Sequence, residues 1–144
     1  MPQRDTTHHL VKQALIQDGW LITDDPFVIS FGERLLFVDL GATAISNSGE
    51  GQLIGAELAG CRIVIEVKEF RSRSVISDLE QAIGQYSLYQ LLLNKVDPER
   101  EIFLAISSKT YNEIFNEPIG KVVIRDLPLK LVVINLELSE VEQW

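Results

Sequence analysis

Hydrophobic and polar positions repeat with two different periods along the chain, and the period predicts the kind of element at each place. In the segment TTHHLVKQALIQDGW, apolar residues recur at helical spacing. Thr6 or Thr7 is the predicted N-cap of this helix, and the pair Asp18-Gly19 is its predicted end. The segment therefore predicts an amphipathic helix near the start of the chain.

The next segment, WLITDDPFVISFGERLLFVDLGA, alternates between apolar and polar residues as strands do. Asp25-Pro26 and Gly32-Glu33 interrupt it, so we expect a meander of two or three strands. The polar, glycine-rich stretch AISNSGEGQ predicts a loop or mobile insertion. LIGAELAGCRIVIEVK then indicates a hairpin that turns at Ala59-Gly60.

The longest apolar stripe at helical spacing predicts the longest helix, within SVISDLEQAIGQYSLYQLLLNKVDP. Ser77 or Ser74 is its predicted N-cap, and Asp97-Pro98 is its predicted end. EIFLAISS has the continuous apolar run of a buried strand, and KTYNEIF predicts a short helix. KVVIRD and LKLVVINLE predict two more strands around a turn at Leu127-Pro128.

The tail closes on Trp144, which we expect to pack back onto the body because an exposed indole ring is unfavourable. The predicted order is helix, strands, long helix, strand, short helix, strands. This order indicates a mixed α/β fold around one sheet rather than a regular βαβ repeat.

Length and composition narrow the class of protein. The 144 residues, 46% of them hydrophobic, suit one domain, residues 1–144, with a real core. No apolar run approaches the roughly 20 residues that cross a bilayer, and the start resembles no secretory signal, so a cytoplasmic protein without a membrane role is expected. The single cysteine excludes an internal disulfide and a cysteine-rich zinc site. The net charge of −8 argues against broad nonspecific affinity for nucleic acid but not against a metal-dependent nucleic-acid enzyme.

Three charged residues lie on two strongly apolar predicted strands. Glu66 and Lys68 share one face of RIVIEVKEF, about 7 Å apart along the strand, and Ile63 and Ile65 share the other face. Asp39 ends the apolar stretch LLFVD, where strand propensity disfavours it. One interpretation is an exposed salt bridge between Glu66 and Lys68, which would contribute at most about 1 kcal/mol.

The other interpretation is a site for phosphodiester hydrolysis. Two carboxylates can bind Mg²⁺ or Mn²⁺ through their oxygens. A nearby lysine can orient or activate the attacking water and stabilise the charge that develops on phosphorus. Asp39, Glu66 and Lys68 supply these groups.

Several motifs also resemble a known family. VDLGA, GAELAGCRIVIEVKEF and IGQYSLY, together with the opening RDTTHHLVKQALIQDGW and the closing VEQW, are similar to the fdxN-element excision controlling factor family, XisH. The resemblance covers essentially the whole chain. That family resembles the restriction-endonuclease-like, PD-(D/E)XK superfamily, which implies a core of helix, three antiparallel strands, helix and strand, here with extra carboxyl-terminal strands.

The superfamily resemblance implies roles for individual residues. Asp39 matches the metal-binding aspartate at the end of the second core strand, and Glu66 and Lys68 match the (D/E)-x-K pair on the third. Mg²⁺ or Mn²⁺ is the implied cofactor. Gln85 and Tyr89 match a Gln-x-x-x-Tyr motif on the following helix, and their spacing puts them on one helical face. They are supporting residues in this reading, or else the polar edge of an amphipathic helix.

The match departs from the superfamily in two respects. Val38 stands where the motif has proline, and the glutamate that many members carry on the first helix has no counterpart here. The position nearest to it is His8, which could bind a metal or phosphate or simply be solvated, with Lys12 one turn on. Glu57 is a candidate third carboxylate or a cross-strand partner of a nearby cation.

Basic residues follow the candidate site in KEFRSRS, where Arg71 and Arg73 are placed to contact a nucleic-acid backbone or form a solvated basic turn. The resemblance implies DNA and a small XisI-like protein as partners, in cyanobacteria. Three functions stay open: a metal-dependent nuclease, a catalytically silent accessory factor that binds DNA or protein, and a nuclease toxin restrained by the XisI-like protein. A homodimer is a further expectation, because nucleases of this fold that cut both strands usually need two sites.

Overall fold

A mixed six-stranded sheet organises the chain in the computed structural model, which describes residues 2–44 and 61–144. The strands are β1 (Trp20–Asp24), β2 (Phe27–Phe31), β3 (Arg34–Val38), β4 (Leu40–Ala44), β5 (Arg62–Val67), β6 (Glu101–Ser107), β7 (Leu131–Asn135) and β8 (Glu140–Gln143). The helices are α1 (Pro2–Gln17), α2 (Val75–Val96), α3 (Ser108–Thr110), which continues as one π-helical turn (Tyr111–Phe115), and α4 (Pro118–Asp126). The fold is therefore mixed α+β, as the sequence predicts at this level.

The order of strands in the large sheet is β1-β4-β5-β6-β7-β8. β4 runs antiparallel to both of its neighbours, β1 and β5. The next three strands, β5, β6 and β7, run parallel to one another, and β8 returns antiparallel to β7. The predicted meander of two or three strands is wrong in number, because the segment forms four. β1 and β4 join the large sheet, whereas β2 and β3 pair only with each other as a separate hairpin.

Strand β5 is covered on both faces, which explains its nearly continuous apolar sequence. Ile63 and Ile65 pack in a cluster with residues of α1, whereas Val64 packs in a second cluster with residues of α2. This confirms the predicted alternation of faces along RIVIEVK. The face of Val64 is the one that Glu66 shares two residues later, so Glu66 lies on the side of the sheet that α2 covers.

Helix α2 begins and ends where the sequence predicts, whereas α1 begins earlier than predicted. Ser74 caps α2 by accepting a hydrogen bond from the backbone N–H of Ser77 at 3.1 Å, and the helix ends before Asp97 as predicted. The predicted start of α1 at Thr6 or Thr7 is wrong, because the helix already begins at Pro2. Proline is well suited to the first helical turn, where its missing N–H has no intrahelical partner to lose.

The predicted strand KVVIRD is also wrong, because these residues belong to α4. β6 and β7 are parallel neighbours, and a parallel pair needs a crossover of a dozen or more residues between its strands. The helical segments between them supply that crossover, so Leu127-Pro128 follows a helix end and does not form a hairpin turn. The β-branched residues of α4 are accommodated because Val123 and Ile124 pack against the core.

The tail packs back as predicted. The Trp144 ring lies 5.4 Å from that of Trp20 and 5.1 Å from that of Phe103, and its indole N–H donates to Asp18 at 3.0 Å. The predicted loop after Ala44 and the turn at Ala59-Gly60 lie outside the described residues.

Candidate functional site

The end of β5 carries the two charged side chains that the sequence singles out. Glu66 is buried, with 6% of its surface exposed, and Lys68 follows on the same side just after the strand ends. The backbone N–H of Lys68 donates to the carbonyl of Ala105 at 3.0 Å, so β6 holds this stretch in place beyond the end of β5. A buried carboxylate on a central strand is unfavourable unless it is paired or hydrogen-bonded.

Asp39 lies at a bend between β3 and β4, where the chain leaves the hairpin and enters the large sheet. The prediction that it ends a strand is wrong, because LLFV and LGATA are two strands that the bend separates. Leu40 of β4 pairs with Ile65 of the antiparallel strand β5. Continuing this register by one residue puts Asp39 opposite Glu66. Asp39 Oδ2 accepts a hydrogen bond from the backbone N–H of Val67 at 2.8 Å, which fixes the carboxylate against β5.

One cleft of about 280 Å³ brings together five of the predicted site residues. Its walls include His8, Asp39, Glu66, Lys68 and Gln85, which come from α1, the β3–β4 bend, the end of β5 and α2. The most distant two, His8 and Gln85, are 77 positions apart in the sequence. Glu69 also lines the cleft, so the fold collects three carboxylates, an ammonium, an imidazole and an amide around one space.

Helix α2 also interacts with the charged side chains that line the cleft. Lys68 Nζ donates to Gln81 Oε1 at 2.9 Å, so Gln81 orients the ammonium group. The sequence analysis missed Gln81, although it lies one helical turn before Gln85 and on the same face. Burial raises the pKa of Tyr89, and the nearby carboxylates of Glu66 and Asp39 raise it further. Tyr89 is therefore a neutral hydroxyl within electrostatic range of both carboxylates.

The α1 side of the cleft contains an ion-pair network that the sequence analysis also missed. Asp25 Oδ1 lies 2.8 Å from His8 Nε2, and Asp25 Oδ2 accepts from Lys12 Nζ at 2.8 Å. Burial opposes the ionisation of Asp25, but the hydrogen bonds and charges of Lys12 and His8 outweigh it and lower the pKa of Asp25. The other ring nitrogen, His8 Nδ1, is 4.0 Å from Asp39 Oδ1. In the sequence, Asp25 was only part of a strand-breaking Asp-Pro pair.

The predicted nucleic-acid contacts lie in three different settings. Lys12 is engaged by Asp25, Arg71 is exposed and paired with Glu69, and Arg73 is exposed without an ion pair among the described residues. A second cleft of about 220 Å³ shares Lys68 and Glu69 with the first and is also lined by Arg71 and Lys109. Glu57 lies outside the described residues.

The donor chemistry of the first cleft fits a hard divalent cation. Asp39 at the β3–β4 bend and Glu66 on β5 offer carboxylate oxygens, which are the ligands that Mg²⁺ and Mn²⁺ prefer. Within residues 2–44 and 61–144, no group of three or more His, Cys, Asp or Glu side chains is gathered closely enough to enclose a metal ion by itself. Among the described residues Asp39 and Glu66 are thus two candidate carboxylate donors without a complete protein cage, an arrangement that would suit magnesium, an ion that keeps several waters.

The comparisons with known proteins agree with one another. The sequence model of the XisH protein family matches residues 1–142. The fold is similar to the crystal structure of an fdxN element excision controlling factor protein from Anabaena variabilis, with a TM-score of 0.81 and 36% identity over 97% of this chain and 98% of that chain. It is also similar to an XisH family protein from Nostoc punctiforme PCC 73102, with a TM-score of 0.80 and 33% identity over 96% of this chain and 98% of that chain.

The search among curated proteins finds no match. None of the described helices is long and apolar enough to span a membrane.

Proposed function

The chain belongs to the XisH family, and from that premise we propose that it controls excision of a DNA element and that its cleft is a metal-dependent site for phosphodiester hydrolysis. The observation that carries the proposal is the pairing of β4 with β5, which sets Asp39 against Glu66 in one cleft with Lys68. Few structural roles need two opposed carboxylates and an ammonium at the end of a buried strand, whereas this chemistry needs all three.

The order and direction of the elements support a restriction-endonuclease-like core. Helix α1 is followed by the antiparallel strands β1, β4 and β5, then by α2 and by β6, which is parallel to β5. In this interpretation the β2–β3 hairpin is an insertion between the first two core strands, and β7 and β8 extend the sheet.

The reaction is attack of a water oxygen on phosphorus, which forms a new P–O bond while the bond to the leaving oxygen breaks. A proton lost by the water ends on that leaving oxygen, so the products are a phosphomonoester and an alcohol. Asp39 and Glu66 would hold the divalent cation, which would supply Lewis-acid activation of the phosphate and of a bound water. Lys68, held by Gln81, keeps its ammonium at the cleft, where it orients the water and stabilises the negative charge that grows on the phosphate oxygens. Tyr89 stays protonated near both carboxylates and can donate a hydrogen bond.

The second cleft offers a path for the substrate. Because it shares Lys68 and Glu69 with the first, a polynucleotide whose scissile phosphate lies in the first cleft would extend its backbone toward Arg71 and Lys109. Binding there rests on few cations in a chain of net charge −8, so we expect weak and strongly salt-dependent affinity for DNA without a partner such as the XisI-like protein.

The test is a cleavage assay on labelled DNA and RNA with Mg²⁺ or Mn²⁺, with and without a co-expressed XisI-like protein. Lys68→Ala should remove cleavage while the circular dichroism spectrum stays unchanged. Lys95→Ala is the matched control, because Lys95 is an exposed lysine in the last turn of α2 that does not line either cleft. Equal cleavage by wild type and Lys68→Ala would refute the proposed role of the lysine.

One observation favours the silent accessory factor as the second candidate. Asp39 already has a protein partner in the backbone N–H of Val67, and Lys68 has one in the side chain of Gln81. A closed network of this kind suits a site that only binds DNA or protein. Calorimetric titration with Mn²⁺ separates the two candidates: binding that Asp39→Asn abolishes supports the enzyme, and no such binding supports the accessory factor.

A further inference from the structure

The β2–β3 hairpin has a buried inner face and an exposed outer face that are both apolar. Strand alternation puts Ile29 and Val38 on the inner face, where they pack in the cluster that α2 covers. Val28, Leu35 and Phe37 lie on the outer face and are 45%, 61% and 55% exposed. Single exposed apolar residues are ordinary, but three large ones on one face of a short hairpin are typical of an interaction surface.

The pairing within the hairpin orders this outer face by side-chain size. Val28 of β2 lies beside Phe37 of β3, and Ser30 of β2 lies beside Leu35 of β3. In both pairs the smaller side chain is on β2 and the larger one is on β3. A surface with this order is complementary to a second copy of itself, provided that β2 of each copy lies over β3 of the other.

A two-fold axis that runs along the strands produces that arrangement. It places Val28 of one copy against Phe37 of the other, and Ser30 against Leu35, so a small side chain meets a large one at each position. An axis across the strands would instead place Phe37 against Leu35 and Val28 against Ser30. Two large side chains would then face each other on one side, and two small ones would leave a gap on the other.

The charges of the hairpin favour the same partner and the same axis. The chain has a net charge of −8, but residues 27–38 contain one acid, Glu33, and one base, Arg34, both exposed at the turn. Two acidic chains can therefore meet at this face without bringing an excess of like charge together. The axis along the strands brings the two turns to the same end of the interface, where Glu33 of each copy lies near Arg34 of the other.

We propose that the outer face of the β2–β3 hairpin binds a second copy of this chain in a two-fold dimer, with β2 of each copy over β3 of the other. The face consists of two strands of five residues each, fewer than the 20–30 residues that a standard interface uses on each side. The dimer is therefore weak and reversible, with a Kd in the micromolar range.

The hairpin connects this interface to the first cleft. β3 ends at Val38, directly before Asp39, so the base of the hairpin borders the cleft and its turn is at the far end. In the proposed dimer both bases lie at the same end of the interface, and the two clefts lie on that side. The dimer does not depend on the proposed function, but two clefts on one side suit an enzyme that cuts two strands.

Sedimentation velocity of the metal-free protein, from micromolar to near-millimolar concentration, tests the dimer without any turnover. We expect a reversible monomer–dimer equilibrium that Leu35→Ser and Phe37→Ser each weaken at least about tenfold. Leu138→Ser is the matched control, because Leu138 is 62% exposed and lies in the β7–β8 connection, and it should leave the equilibrium unchanged. Arg34→Glu should weaken association, and adding Glu33→Arg to it should restore association.

Disulfide trapping tests the direction of the axis. In a Cys61→Ser background, a mixture of Val28→Cys and Phe37→Cys chains should form cross-linked dimers on oxidation, because disulfides can join two stacked sheets. A mixture of Val28→Cys and Ser30→Cys chains, which the axis across the strands would pair, should cross-link far less. Preferential cross-linking of the second mixture would overturn the proposed arrangement.

Two sedimentation results would overturn the inference, and neither bears on catalysis in the cleft. A wild type that stays monomeric at every concentration would mean that the outer face binds a different partner or none. Association that both Leu35→Ser and Phe37→Ser leave unchanged would place the interface elsewhere. Circular dichroism shows that each variant keeps its fold, and Leu35→Ser is sufficient for the test if Phe37→Ser does not fold.

Discussion

Glu66→Gln should make the metal-free protein more stable, which is unusual for a change at a buried position. Glu66 has 6% of its surface exposed and lies opposite Asp39, so two negative charges face each other across neighbouring strands. The Cβ atoms of directly opposed residues are about 5 Å apart, and if the charges are separated by a similar distance they repel by about 3 kcal/mol at an effective dielectric constant of about 20. The amide of glutamine keeps the shape of the side chain and removes this repulsion.

Part of that repulsion is already offset in the wild type, because the ammonium of Lys68 shares the cleft. We therefore expect a net gain of about 1–2 kcal/mol in the free energy of unfolding, roughly half of the direct repulsion. For a chain of 144 residues this corresponds to a rise of about 3–6 °C in the midpoint of thermal unfolding.

The assay is thermal unfolding of the wild type and Glu66→Gln, in a chelator and in Mn²⁺. In the chelator the variant should unfold at the higher temperature. Addition of Mn²⁺ should stabilise the wild type by about 2.7 kcal/mol when the free ion exceeds its Kd 100-fold, and should therefore raise its unfolding midpoint. The midpoint of the variant should not change. A variant that is clearly less stable than the wild type in the chelator would show that Glu66 has a structural role, and the reasoning from charge repulsion would be wrong.

Three further outcomes follow from the contacts. The pKa of Tyr89 should fall in Glu66→Gln, because one of the carboxylates that raise it is gone; nuclear magnetic resonance of labelled tyrosine measures this. Tyr86→Phe should cost about 1 kcal/mol in urea unfolding, because the hydroxyl accepts a hydrogen bond from the backbone N–H of Lys130 at 3.2 Å. Burial acts to raise the pKa of Asp97, but hydrogen bonds from Arg100 and Arg62 outweigh burial and lower this pKa. The stabilisation that the ionised Asp97 contributes is therefore present above about pH 4, and it is lost as the pH falls through the folded pKa. Asp97→Asn should therefore lose less stability than the wild type on acidification, as urea unfolding at several pH values would show.

Local signals in the sequence were sufficient for much of the fold. The alternation in RIVIEVK assigns Ile65 and Glu66 to opposite faces, and the structure confirms it. The N-cap of α2 at Ser74 and its end at Asp97 could also be predicted, because capping depends on nearby residues alone. The strand predicted at KVVIRD failed because β-branched residues favour strands locally, whereas the parallel pairing of β6 and β7 requires a helical crossover there.

The candidate site was predictable only in part, for a similar reason. Asp39, Glu66 and Lys68 stand out because charges on apolar strands are unusual, and their spacing matches a known motif. Gln81 and Asp25 carry no such signal, since a glutamine on a helix and an aspartate before proline are common. Their roles depend on tertiary contacts with Lys68 and His8, which come from pairings that the sequence does not specify.

The most direct test of the account is the rate at which purified protein cleaves a pool of end-labelled single-stranded, duplex and branched DNA in Mn²⁺, compared with Asp39→Asn. The account predicts cleavage by the wild type that a chelator stops and that Asp39→Asn lacks, with the same circular dichroism spectrum in both proteins. Metal-dependent cleavage that persists in Asp39→Asn, or no cleavage of any substrate by wild type with a co-expressed XisI-like protein, would contradict it.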